Sequence, residues 1–216
     1  MKNDSEIQHD VIAELGWEPS VNPAGIGVEV KEGVVTLNGH VDSYAEKCNA
    51  EHAALRVYGV RGLAVEIEVR LPGFSNRSDA DIARSVENVL LWTTFLPIPT
   101  IKVMVEAGWI TLSGEVDWEY QKRAAIDSVK YLMGVKGVSD NICIKPNLSA
   151  SLIKADIEDA LKRRARNDVR DIKVEVSGAE VILSGMAHSS YERDLASHSA
   201  WCSPGVQQVK NNMTIE

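Results

Sequence analysis

Cysteine, phenylalanine and long apolar runs are scarce in this 216-residue chain. It has three cysteines and two phenylalanines, and no window reaches the apolar length that a membrane-spanning helix needs. Cys48, Cys143 and Cys202 are odd in number, lack CxxC spacing and fall at non-equivalent places in an internal repeat. That excludes a disulfide framework and a metal site common to the repeats, and leaves free thiols of a reducing compartment. Basic charge is outnumbered as well: 23 Lys and Arg face 31 Asp and Glu, for a formal net charge of −8, so no nucleic-acid partner is expected. The opening "MKNDSEIQHD" has no apolar run behind its lysine and no small-residue cleavage site, unlike an export signal. A cytoplasmic location is expected, or a periplasmic one if the sequence is a mature form.

Catalytic signatures are missing too. No HExxH, GxSxG, Walker or kinase pattern occurs, and "GIG" at 25–27 lacks the third glycine and the preceding strand of a dinucleotide loop. The five histidines lack two-His-plus-acid spacing. No catalytic residue, no cofactor and no metal is expected, and the chain does not read as an enzyme.

One pattern is written three times. "VTLNGHVDSYAEK" (35–47) returns as "ITLSGEVDWEYQK" and "VILSGMAHSSYER". Anchored on Gly39, Gly114 and Gly185, the copies align without a gap over 4–69, 79–144 and 150–215. Twenty residues after each anchor stands a Gly-Val pair, led by Gly59, Gly134 and Gly205. Three domains are expected, over 1–71, 77–146 and 148–216.

Each copy predicts the order helix, strand, strand, helix, strand. Ile7, Val11 and Leu15 match Ile82, Val86, Leu90 and Ile153, Ile157, Leu161, an i, i+4, i+8 helical stripe. Asp4, Ser78 and Ser149 are the expected N-caps of these helices, with Asp81 as a capping-box acid. Alternating Val28/Val30 and Val35/Leu37 around Glu32-Gly33 predict a hairpin. The second helix has a stripe of small residues, Ala50, Ala53 and Ala54 in the first copy, suited to lying low on a sheet. Its start carries Asp42, Asp117 or His188, read as caps rather than chemistry. The anchor glycine lies on the inward face, which calls for a bulge or for close passage of that helix. The fold class is α+β: three tandem αββαβ domains, each a three-stranded mixed sheet with two helices on one face.

"TLNGHV…YGVRGLAVEIEV", "TLSGEV…MGVKGVSDNICI" and "ILSGMA…PGVQQVKNNMTI" together resemble the BON domain family (bacterial OsmY and nodulation) across nearly the whole chain. The resemblance implies non-catalytic, transport-associated binding modules tied to envelope maintenance, osmotic stress and phospholipid surfaces; related modules are linked to potassium.

Function is expected where the copies differ. After the first helix, the second copy reads "LLWTTFLPIPT"; Leu91, Trp92, Phe95, Leu96 and Ile98 are candidates for apolar contact with a partner, a membrane or a neighbouring copy. At the same place the third copy reads "LKRRARNDVR"; Lys162, Arg163, Arg164 and Arg166 either oppose the helix dipole or bind phosphate-bearing anions. Residues 1–73 carry 6 basic against 12 acidic residues, while 74–147 and 148–216 carry 8 against 9 and 9 against 10. An anionic surface would therefore be met by copies two and three. Three readings follow: a multivalent module on phospholipid or another anionic surface, a soluble protein-interaction or self-association scaffold, and a small-ligand or cation sensor using backbone carbonyls.

Overall fold

The computed structural model describes residues 2–96, 100–145, 150–164, 172–187 and 190–215, with backbone alone at 150–152, 161–164, 187, 190–192 and 215. The first repeat runs α1 (Asp4–Trp17), β1 (Ile26–Lys31), β2 (Val34–Val41), α2 (Tyr44–Arg56) and β3 (Gly62–Val69). The second runs α3 (Asp79–Trp92), β4 (Ile101–Glu106), β5 (Trp109–Val116), α4 (Glu119–Val129) and β6 (Gly137–Ile144). The third runs α5 (Ala150–Arg164), β7 (Ile172–Ser177), β8 (Glu180–Ala187), α6 (Ser190–Trp201) and β9 (Gln208–Ile215). The three sheets have the orders β1-β2-β3, β4-β5-β6 and β7-β8-β9, the mixed three-stranded α+β arrangement expected from the repeats.

In the first sheet β1 and β2 are antiparallel, pairing Val28 with Leu37 and Val30 with Val35. The β2–β3 pair is parallel, with Leu63 opposite Val35 and Val65 opposite Leu37, so α2 is the crossover between parallel neighbours. The third sheet repeats this register, with Val174 opposite Leu183 and Leu183 opposite Asn211. Ile7, Val11 and Leu15 from α1 meet Ala50, Ala53 and Ala54 from α2 over Val35, Leu37 and Ile67 in one core. Burying each large aliphatic side chain there contributes about 1.5–3 kcal/mol. By packing density the chain falls into two compact units: Met1–Val89 with Val103–Thr111 and Asp127–Ser139, and Leu90–Lys102 with Leu112–Ile126 and Asp140–Glu216.

Two helix caps differ from the expectation. The N-cap of α1 is Asn3, not Asp4: Asn3 accepts from the Glu6 N–H and Glu6 accepts from the Asn3 N–H, closing a capping box. The N-cap of α2 is Ser43, not Asp42, and its side chain accepts from the Glu46 N–H. Ahead of α4, Gln121 Oε1 accepts from the backbone N–H groups of Asp117 and Trp118. The cap at Ser78 stands, taking the Asp81 N–H at 3.2 Å; Ser149 and His188 lie outside the described residues.

Asp4 acts elsewhere. Its two oxygens accept from the N–H groups of Glu32 and Gly33, the tip of the β1–β2 turn, at 2.8 and 2.9 Å. Asp79 does the same for Ala107 and Gly108. Glu32 and Ala107 both stand at φ 51°, a left-handed conformation that costs a non-glycine residue about 1–2 kcal/mol. A carboxylate on two adjacent N–H groups offsets that cost. In the third repeat the equivalent of Asp4 is Ala150, and the turn begins with Gly178 at φ 62°. A glycine adopts that conformation without the steric cost that Glu32 and Ala107 carry.

The anchor glycine also has a different cause from the one expected. Gly39 stands at φ +110° and Gly114 at φ +142°, and a Cβ on either would collide with the carbonyl oxygen of Gly25 or Thr100. The close approach comes from the chain entering β1 or β4, not from the helix above.

Candidate functional site: an exposed aromatic tip

The second repeat ends α3 with apolar side chains facing water. Trp92 is 88% exposed, Phe95 62% and Leu91 53%, whereas Leu96 is buried and anchors the loop. The Phe95 ring meets Tyr120 edge-on, with centroids 6.0 Å apart and planes at 80°. Tyr120 lies beside Trp118, 6.3 Å away with an interplanar angle of 36°. Aromatic pairs at such separations contribute about 0.5–1.5 kcal/mol beyond their buried area.

The backbone under this tip is fixed by Gln121, a buried polar residue. Its Nε2 donates to the Phe95 carbonyl at 3.0 Å while its Oε1 holds the N–H groups that precede α4. Glu46 occupies the equivalent place in the first repeat, accepting from the Asn22 and Asp42 N–H groups. The same position therefore staples backbone in two repeats, with a glutamate in one and a glutamine in the other.

The tip itself is not repeated. Where the second repeat has Phe95 and Tyr120, the first has Ser20 and Ala45. Between these two repeats only the tryptophan is shared: Trp17 ends α1 and is 83% exposed. The third repeat has Arg163 at that position.

Lys162, Arg163 and Arg164 occupy the last turn of α5, with side chains outside the description; Ile98 and Arg166 lie wholly outside the described residues. Leu91, Trp92 and Phe95 share the exposed tip. Trp118 and Tyr120, which complete it, were not singled out from the sequence. Their signal was two aromatics in "DWEYQ" that no helical stripe required.

A groove of about 330 Å³ continues from Tyr120 between α4 and α6, within the second compact unit. Arg123 lies over the Trp201 ring, 5.9 Å from its centroid, and pairs with Glu119 at 3.0 Å. His198 and Cys202 line the opposite wall. Among the described residues no helix is long and apolar enough to cross a membrane.

Residues 3–70, 78–146 and 149–216 each match the BON domain. The chain belongs to the BON domain family. A relative, osmotically-inducible protein Y of Escherichia coli (strain K12), is 30% identical over 149 residues, covering 66% of this chain and 73% of its own. Two solved chains of CdsD, a structural protein of the type III secretion system of Chlamydia trachomatis, align over 100% and 96% of this chain and 100% and 91% of theirs. Their identities are 14% and 15%, each with a TM-score of 0.28.

Proposed function

We propose that this chain is a non-catalytic, multivalent binding protein of the stress response, related to osmotic or envelope stress, whose second and third BON domains associate with anionic phospholipid surfaces. The observation that carries the reading is the aromatic tip: Trp92, Phe95 and Tyr120 leave apolar surface in water although Gln121 holds the backbone beneath them. Tryptophan and tyrosine favour the bilayer interface, where an apolar ring and a polar edge are both satisfied. The last turn of α5 adds three cations, each contributing about 1 kcal/mol beside an anionic surface. The near-neutral balance of the second and third repeats, against an excess of six acids in the first, agrees with that choice of face. Linked weak sites then gain from avidity. The name of the Escherichia coli relative supports the stress context.

Flotation with phosphatidylglycerol-containing vesicles at low salt tests this. Binding is expected to anionic vesicles and not to neutral ones. Trp92→Ser with Phe95→Ser should weaken it, and Arg163→Glu with Arg164→Glu should lower it about tenfold or more. Absence of binding, or indifference to both double substitutions, overturns the reading.

A second reading, a self-association or protein-docking scaffold, is favoured by the mutual packing of Phe95, Tyr120 and Trp118, which presents a stiff apolar face of the kind interfaces use. Light scattering separates the two: a concentration-dependent mass that Trp92→Ser abolishes supports the scaffold, and an unchanged mass counts against it.

A further inference from the structure

His198 and Cys202 form a pair that no part of the reading above uses. They are four apart in sequence, and the helical hydrogen bond from the Cys202 N–H to the His198 carbonyl, at 3.1 Å, carries the helical turn through to the cysteine. Both side chains therefore project from one face, into the groove between α4 and α6. Both residues are exposed, so the groove offers their donor atoms to an incoming ion. His198 Nε2 and Cys202 Sγ stand 3.6 Å apart.

That separation has a chemical meaning. With metal–nitrogen and metal–sulfur bonds of zinc length, about 2.0–2.1 and 2.3 Å, a bite of this size subtends about 110° at the ion, the tetrahedral angle. The surrounding charge suits a cation. Glu119 and Asp194 line the same groove, and Arg123, whose guanidinium also lines it, is paired with Glu119 and lies over Trp201. Imidazole with thiolate is a donor set for borderline and soft ions rather than for magnesium or calcium.

We infer that His198 and Cys202 are a bidentate site for a thiophilic divalent cation of the zinc type. Among the described residues no set of three His, Cys, Asp or Glu is arranged to hold a metal, so the protein supplies two ligands and leaves two tetrahedral positions to water or to an incoming donor. Binding replaces the Cys202 S–H bond with a sulfur–metal bond, and the proton goes to solvent. The imidazole binds as the neutral base. A site with two open positions exchanges its metal readily, unlike the closed four-ligand sites that hold small folds together. Metal uptake requires no lipid surface, although Tyr120 of the aromatic tip lines the same groove.

Titration of the full chain with Zn²⁺ under reducing conditions, and with Co²⁺ as a spectroscopic probe, tests this. One equivalent should bind, and the cobalt complex should show tetrahedral d–d bands together with a sulfur-to-cobalt charge-transfer band. Cys202→Ser and His198→Ala should each weaken binding about tenfold or more, while Cys48→Ser with Cys143→Ser should leave it intact. Circular dichroism of each variant establishes folding, and the wild-type cobalt spectrum reads the ligand set without any substitution. Absence of uptake, uptake unaffected by either substitution, or loss with Cys202→Ser but not with His198→Ala overturns the assignment.

Discussion

At the scale of single residues, an invariant feature of the repeat marks a forbidden side chain without naming what forbids it. Gly39 was legible as special because it interrupts the inward run Val35, Leu37, Val41. Its cause, the Gly25 carbonyl, was not, because a loop lying fourteen residues upstream leaves no periodic trace. Gly39→Ala should lower unfolding stability by about 3 kcal/mol in urea titrations, from backbone strain and collision together. Gly62→Ala, where an added Cβ meets only ordinary contacts, should stay within about 0.5 kcal/mol. Asp4 shows the opposite failure. An acid at a helix start reads as a cap, yet the true equivalent of Ser78 is Asn3, and Asp4 aligns with Asp79. Asp79→Ala strips the carboxylate from the Ala107 and Gly108 N–H groups and should cost about 1–2 kcal/mol by denaturant titration; a loss no greater than at an exposed control aspartate would count against the clasp.

At the scale of elements, order and facing were legible because periods of two and of 3.6 residues survive in each copy, and the small stripe Ala50, Ala53, Ala54 is buried as its spacing demanded. The polar staple was not legible. Glu46 and Gln121 differ in charge, and each acts on backbone groups of a distant loop. Asn22 and Asp42 donate to different oxygens of Glu46, so Glu46→Gln keeps one acceptor and should lose about 1 kcal/mol. Glu46→Ala leaves both N–H groups unserved and should lose about 2–3 kcal/mol; no loss from Glu46→Gln in urea titrations would refute the need for both oxygens. Part of the aromatic tip was visible in the apolar excess of Leu91, Trp92 and Phe95. Trp118 and Tyr120 join it only through a tertiary contact.

At the scale of the whole molecule, thin cores of 66-residue repeats make partly buried groups matter to solution behaviour. Burial, and next the neighbouring Cys48 thiol, push the Tyr44 hydroxyl up to about 12 from its usual 10. The folded protein thus favours neutral Tyr44 more than the unfolded chain does. Its contribution is complete below pH 10 and is lost as pH rises from 10 towards 12. Urea midpoints across that window should fall less steeply for Tyr44→Phe than for the parent; parallel slopes would exclude Tyr44 as the source. The carboxylate clasp has a further consequence. In the first two repeats the leading helix and the hairpin turn, 28 residues apart in sequence, cannot part without breaking it. In each of those repeats, freeing the turn and freeing the helix start therefore become linked events. In the third, where alanine replaces the aspartate, Ile153 and Ile157 join Val174, Val181 and Leu183 in one core and couple helix to hairpin. Copies of one fold thus join the same two elements by different chemistry.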